Sequence, residues 1–211
     1  MAAGDELRSL ICDLARSFYG LGWVSGTGGG ICIRDGARVL IAPSGVQKER
    51  MLPEQMFTMA LDGTIVSRPA DPSLNPSECS SLFLKAINLR NAGAVIHSHS
   101  IHAMSATLLF ENEFSISHLE MIKGIQGMSY HDTLVVPIID NTARECDLAG
   151  ALEDAILRYP AAHAVLVRRH GVYVWGDDWV RAKTHAECYE YLFRAAVEMR
   201  RMGISTRFEG A

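Results

Sequence analysis

Short apolar segments alternate with amphipathic helix patterns along the 211-residue chain, and this alternation restricts the fold more than any other feature. Apolar residues recur at helical spacing between Leu7 and Phe18, whereas Ala94, Val95 and Ile96 form a continuous run typical of a buried strand. No internal repeat, low-complexity tract or linker interrupts the pattern. We therefore predict an α/β protein with a single domain over residues 1–211 and helices on both faces of a sheet.

The same patterns place the individual elements. Helices are predicted at 5–21, 78–90, 100–108, 118–123, 144–158 and 179–202. A hairpin is predicted over 31–41 around a turn at Asp35-Gly36, with further strands at 94–96, 133–138, 163–168 and 173–175. Residues 67–77 contain three prolines and are predicted to form a loop.

Charge and cysteine content narrow the range of partners. Twenty Lys and Arg against 24 Asp and Glu give a net charge of -4, which provides no basic field for nucleic acid. The five cysteines are scattered without C-x-x-C spacing, which argues against a disulfide framework and a structural zinc site. With no leader pattern and no apolar stretch of membrane-spanning length, we expect a cytoplasmic protein with no membrane partner.

Three histidines follow predicted strands. His97 and His99 are two residues apart at the end of a strand, so both imidazoles should point to one face. His170 stands at the end of another strand, directly before a glycine. Three histidines and an open fourth position are typical of a catalytic divalent metal, most often zinc. Spacing alone cannot select the third histidine or exclude a structural role for the pair, since five more are present, at positions 102, 118, 131, 163 and 185.

A glycine cluster and a nearby turn could bind an anion. The segment from Ser25 to Gly30 offers unobstructed backbone amides, but it follows a helix and lacks a Walker lysine, which disfavours a nucleotide site. The turn at Ser44-Gly45, followed by Lys48, could add a hydroxyl, an amide and a cation. The alternatives are a flexible turn for the glycine cluster and, for the second segment, a turn followed by a solvated run of charged residues.

Glu120 lies between apolar neighbours, Leu119 before it and Met121-Ile122 after it. Such surroundings could raise its pKa toward that of an acid or base catalyst. A glutamate on a helix surface is the alternative, and spacing alone favours it.

Five ordered blocks of sequence together resemble the methylthioribulose-1-phosphate dehydratase family, a group of class II aldolase/adducin-like enzymes. The resemblance runs from about residue 7 to about residue 202, and its blocks lie at 22–30, 41–50, 97–99, 120–124 and 167–176. It implies a three-layer α/β/α fold around a central mixed, mainly antiparallel sheet. It also implies one Zn²⁺ per subunit and a homotetramer with active sites near subunit interfaces.

The resemblance also assigns roles to residues. It implies His97, His99 and His170 as metal ligands, Glu120 as the catalytic acid/base and Cys79 as a substrate contact, although related aldolases place a metal-binding glutamate near Glu78. The expected substrate is a small phosphorylated keto-sugar, 5-methylthioribulose 1-phosphate of methionine salvage, which would lose water. Its phosphate is expected at Thr27, Gly28, Gly29, Ser44 and Gly45, with Lys48 or Lys123 as the counter-charge.

Two other functions remain open. A sugar-phosphate aldolase or a ribulose-phosphate epimerase could use the same fold and related carbonyl chemistry. A non-catalytic interaction module of the adducin type would share the fold without needing the metal. The histidines and Glu120 favour an enzyme, and the blocks at 120–124 and 167–176 favour the dehydratase.

Overall fold

A computed structural model describes residues 3–208 of the chain. Across these residues, nine strands form one sheet in the order β4-β3-β2-β1-β5-β9-β8-β7-β6. Adjacent strands are antiparallel except β7 and β8, which are parallel. The strands are β1 (Gly30–Asp35), β2 (Arg38–Ile41), β3 (Phe57–Ala60), β4 (Ile65–Ser67), β5 (Ala94–Ser98), β6 (Glu113–Ser117), β7 (Thr133–Ile139), β8 (Ala164–Val167) and β9 (Gly171–Gly176).

Helices cover both faces of this sheet, which confirms the predicted three-layer α/β/α architecture. One apolar core lies beneath α1 (Ala3–Gly20), α3 (Ile101–Leu109) and α5 (Trp179–Arg201). The other lies beneath α2 (Ser80–Arg90) and α4 (Ala149–Arg158). Alternate residues of a strand enter opposite cores, as Ile96 and Val95 of β5 do. No helix within residues 3–208 has the length and apolar character needed to cross a bilayer.

Most predicted elements are present, but three strands were missed. β3 and β4 have only four and three residues, too few for a clear alternating pattern. β6 does alternate, with Phe114 and Ile116 fully buried, so its signal was present in the sequence. The helix predicted at 118–123 is a short 3-10 helix, Glu120–Gly124, and the one predicted at 144–158 divides into a 3-10 turn, Glu145–Leu148, and α4.

The two edges of the sheet differ. β4, at one edge, pairs only with β3. β6, at the other edge, is covered by the segment Thr206–Phe208: the Ser117 amide donates to the Thr206 carbonyl, and the Phe208 amide donates to the Ser117 hydroxyl. Arg207 also donates to the hydroxyl of Ser115. These contacts explain why two polar residues of an edge strand are buried.

The centre of the sheet positions the candidate site. β5 pairs with β9 in a register that sets Ser98 opposite Val172, so the end of β5 meets the beginning of β9. The turn between β8 and β9 ends at His170 and passes through Arg169, whose φ of 55° lies in the left-handed region. The histidines at the end of β5, His97 and His99, therefore meet His170 at one end of the two central strands, β5 and β9.

Candidate metal centre

Three histidine side chains converge at this end of the sheet. The Nε2 atom of His97 lies 2.9 Å from that of His99 and 3.2 Å from that of His170, and the last two are 3.0 Å apart. Nitrogens bound to one tetrahedral zinc ion at the usual bond length are about 3.3 Å apart. The structure thus brings together the three histidines that the resemblance implied as ligands, with nearly the spacing that a metal requires.

Hydrogen bonds on the far side of the His97 and His170 rings determine which ring nitrogen carries the hydrogen in the neutral form. His97 Nδ1 lies 3.2 Å from the carbonyl oxygen of Val172, which can only accept, so Nδ1 carries the hydrogen. His170 Nδ1 has the same relation to the amide oxygen of Asn141, at 3.2 Å. In the neutral rings, the Nε2 lone pairs then point at one another. Such outer hydrogen bonds are the usual way in which proteins orient metal-binding histidines.

Glu145 completes the group and was missed by the sequence analysis. One of its carboxylate oxygens lies 2.9 Å from Nε2 of His97 and 3.7 Å from Nε2 of His170. The same oxygen accepts a hydrogen bond of 2.7 Å from the hydroxyl of Tyr173. The ligand atoms of the four residues all lie within 4.8 Å of one another, and this group could hold a metal ion. Glu145 lies 46 positions after His99, in a turn without apolar periodicity, so only its neighbours in space identify it.

The electrostatics of the group favour the neutral forms of His99 and His170 and the ionised form of Glu145. Burial and the neighbouring histidines lower the pKa of His99 to about 3, and burial also lowers the pKa of His170. Burial acts to raise the pKa of Glu145, but the contacts with His97 and Tyr173 outweigh it and hold the pKa below its usual range. Neutral imidazole and carboxylate are the forms that bind divalent metals.

A cavity of about 320 Å³ adjoins the histidines. It is lined by seven of the eight residues expected to contact substrate, which are Thr27, Gly28, Gly29, Ser44, Gly45, Lys48 and Cys79. Ser77, Glu78, His99 and Glu145 complete its wall. The glycine cluster and the Ser44-Gly45 turn are therefore parts of one pocket with the candidate metal ligands.

Gly28 connects the glycine cluster to the metal centre. A Cβ atom at this position would lie 2.5 Å from Cε1 of His99, a distance that side chains do not tolerate. The His99 amide also donates to the carbonyl of Trp23, 2.7 Å away, which fixes the loop against the end of β5. The position of the His99 ring therefore leaves room only for glycine at position 28.

Lys48 lies at the base of the cavity and is almost fully buried, with 3% of its surface exposed. Its ammonium donates to the carbonyls of Thr27, Val46 and Pro43, at 2.9, 3.2 and 3.4 Å. Burial lowers its pKa. Lys48 thus holds the glycine cluster against the following turn and places a positive charge beside the cavity.

Some of the amides expected to bind phosphate are already used. The Gly28 amide donates to the carbonyl of Ser25, and the Ser44 amide donates to that of Asn75. Within residues 3–208, the amides of Thr27, Gly29 and Gly45 donate to no protein acceptor. Those three amides, rather than the full set, are available to an anion.

Two predicted residues lie outside the cavity. Glu120 begins the 3-10 helix after β6, has 72% of its side chain exposed and pairs with Lys123 at 2.6 Å. Its apolar neighbours Leu119 and Ile122 face the core instead. Neither Glu120 nor Lys123 lines the cavity of this chain.

Glu78 and Cys79, the two neighbouring candidates for a contact with substrate or metal, differ in burial. Cys79 is buried at the beginning of α2, where burial and the nearby Glu145 raise the pKa of its thiol to about 12. Glu78 is exposed on the cavity wall. Cys79 contacts Glu145, and the carboxylate that faces the histidines is Glu145 rather than Glu78.

The remaining histidines have other partners. His102 pairs with Glu190 at 2.6 Å. His185 is fully buried, donates to the Trp175 carbonyl and accepts from the Gln126 amide. Within the described residues, none of these side chains joins the metal centre.

Comparison with known proteins gives a consistent family. The profile of the class II aldolase and adducin N-terminal domain matches residues 9–197. A methylthioribulose-1-phosphate dehydratase of Gallus gallus is 55% identical over 213 residues, which cover 96% of this chain and 88% of the relative. A probable bifunctional methylthioribulose-1-phosphate dehydratase/enolase-phosphatase E1 of Vitis vinifera is 51% identical over 95% of this chain, which spans only 42% of that relative.

Solved structures show the same fold at lower identity. The L-fuculose-1-phosphate aldolase of Thermus thermophilus superposes with a TM-score of 0.73 at 20% identity, over 94% of this chain and 98% of that one. Its similarity concerns the fold alone. The chain therefore belongs to the class II aldolase and adducin N-terminal domain family, as a homologue of the methylthioribulose-1-phosphate dehydratases within it.

Proposed function

We propose that this chain is a zinc-dependent dehydratase that converts 5-methylthioribulose 1-phosphate to 2,3-diketo-5-methylthiopentyl 1-phosphate and water, a reaction of methionine salvage in the cytoplasm. The observation that carries the proposal is the pairing of two features in one cavity: a group of candidate metal ligands and an anion cradle. A small sugar phosphate with a carbonyl group needs both. The similarity to the dehydratase of Gallus gallus supports this substrate over other sugar phosphates.

The donor set fits zinc. His97, His99 and His170 would hold the ion, because nitrogen ligands at this spacing suit a tetrahedral centre that keeps a position for substrate. When bound, Zn²⁺ supplies Lewis-acid polarisation of the substrate carbonyl, which makes the adjacent C–H more acidic. The hydrogen bonds to Val172 and Asn141 hold two of the imidazoles in the orientation that this role requires.

The cavity wall formed by the glycine cluster and the Ser44-Gly45 turn would hold the phosphate. The free amides of Thr27, Gly29 and Gly45 supply donors, and the Ser44 hydroxyl adds another. Lys48 contributes its charge from the base of the cavity, although its ammonium hydrogens already serve three carbonyls. This arrangement would hold the phosphate end of the substrate within the same cavity as the histidines.

Glu120 would act as the acid/base that removes the C3 proton and assists departure of the C4 hydroxyl as water. Because it is exposed and outside the cavity of its own chain, it can reach a substrate only where a second copy presents it. This requirement supports an active site completed by a second subunit, which the proposed homotetramer would provide. Replacing Glu120 with Gln should leave the zinc content unchanged and abolish turnover, and near-normal turnover would contradict the assignment.

The decisive experiment incubates the purified protein with 5-methylthioribulose 1-phosphate, with and without a chelator, and identifies the product. We expect loss of water that requires the metal. Retro-aldol cleavage products or an epimer would instead support the sugar-phosphate aldolase or ribulose-phosphate epimerase. A metal-free protein without lyase activity would support the adducin-like module. Replacing His97, His99 or His170 with Ala should lower bound zinc, measured by elemental analysis.

A further inference from the structure

We propose that Glu145 is a fourth protein ligand of the metal in the substrate-free enzyme, held in place by Tyr173. This inference rests on the proposed function only in that a divalent metal occupies the histidine site. It adds a carboxylate that the histidine motifs do not contain and that lies in a different segment of the chain.

The first argument concerns the excess of acceptors. The outer hydrogen bonds of His97 and His170 leave a lone pair on each Nε2 atom. The Glu145 oxygen, also an acceptor, lies 2.9 Å from the first of these atoms and 3.7 Å from the second. Lone pairs at such distances repel one another unless a proton or a metal cation lies among them, and a single proton can join only two of these atoms. A metal ion satisfies the three imidazoles and the carboxylate together, and imidazole with carboxylate is a common zinc donor set.

The second argument concerns the way in which Glu145 is held. The Tyr173 hydroxyl donates to the carboxylate oxygen that faces the histidines, and the Tyr173 ring stacks on His97 with centroids 4.0 Å apart and planes 5° apart. Tyr173 is fully buried and belongs to β9. A single rigid side chain therefore orients one imidazole ligand and the carboxylate. Outer partners of this kind are the usual support of metal ligands, and Tyr173 is a positioning residue for both.

The test measures metal affinity without substrate, by competition with a chromophoric chelator. Because an amide binds zinc poorly, Glu145→Gln should weaken Zn²⁺ binding at least about tenfold, and Tyr173→Phe, which removes only the supporting hydrogen bond, should weaken it by about threefold. Glu78→Gln is the matched control, since Glu78 is a carboxylate on the same cavity wall outside the ligand group. It should change the affinity less than about twofold.

A second measurement reports the ligand directly. The visible absorption of the Co²⁺-loaded protein depends on the donor atoms, so it should change in Glu145→Gln and stay the same in Glu78→Gln. An unchanged affinity and spectrum in Glu145→Gln would overturn the proposal, as would equal losses in both glutamine variants. If Glu145→Gln does not fold, Tyr173→Phe decides in the same way, with an unchanged affinity and spectrum counting against the proposal. Because no substrate is present, these outcomes are independent of whether the wild-type protein dehydrates its proposed substrate.

Discussion

Replacing Lys48 with Met tests whether one buried cation holds the phosphate side of the cavity together. Methionine keeps most of the apolar stem but removes the ammonium, so the carbonyls of Thr27, Val46 and Pro43 lose their donor. A buried polar group left unpaired costs about 1–3 kcal/mol. The Pro43 contact is the longest, at 3.4 Å, and water in the adjoining cavity can reach the freed carbonyls, so each should cost an amount near the lower limit. We expect the free energy of unfolding to fall by about 2–4 kcal/mol.

The assay for this variant is urea unfolding, in which the midpoint should fall while the slope stays constant. Binding of inorganic phosphate should weaken about tenfold, because a loss of about 1.4 kcal/mol of attraction corresponds to that factor. Lys183→Met is the control: Lys183 makes an ion pair with Glu187 on α5, away from the cavity, which contributes less than about 1 kcal/mol. A Lys48→Met protein with the wild-type midpoint and the wild-type phosphate affinity would refute the reasoning.

Three further predictions follow from the geometry. Gly28→Ala should displace the His99 ring and weaken Zn²⁺ binding by about tenfold or more in chelator competition. Gly150→Ala is the control, because a Cβ there meets no atom within 4 Å. Equal Zn²⁺ affinities in the two variants would contradict the close approach of Gly28 to His99. The free energy of unfolding should decrease as the pH is lowered, because burial lowers the pKa of His185 from 6.5 to about 4. Between these pH values only the unfolded chain takes up the proton, which costs up to about 3 kcal/mol of stability. Urea unfolding at pH 7 and 4.5 should show this loss in the wild-type protein and not in His185→Gln. Removing the metal with a chelator should lower the melting temperature, because the ion binds only the folded site, and an unchanged melting temperature would argue that the histidines bind no metal.

Local periodicity predicted the parts of the site that lie on regular elements. His97 and His99 are two residues apart at the end of a strand, and alternation alone directs both toward one face. Their convergence on His170 depends on the pairing of β5 with β9. Sequence spacing alone could not select His170 from the other histidines. The resemblance to a family supplied that choice.

The positions of Glu145, Lys48 and Glu120 depend on tertiary contacts that local sequence patterns do not show. Glu145 reaches the histidines because the turn after β7 folds over the beginning of β9, where the Tyr173 hydroxyl meets it. Lys48 follows a turn in the sequence, where a solvated side chain would be expected. In the fold it is buried, and its ammonium donates to three nearby backbone carbonyls. Glu120 has apolar neighbours in sequence, but those neighbours turn inward and leave it exposed. Its role and the single-domain organisation stay predictions.

The two edges of the sheet also limit how copies of this chain can associate. An unpaired edge strand invites a strand from another molecule, which leads to continuous sheets and aggregates. At β6 the segment Thr206–Phe208 already occupies the amide and the hydroxyl of Ser117, and β4 offers only three residues. Strand addition is therefore disfavoured at both ends of the sheet. A closed assembly of this chain would have to form through helices and turns, the class of surface on which Glu120 is presented.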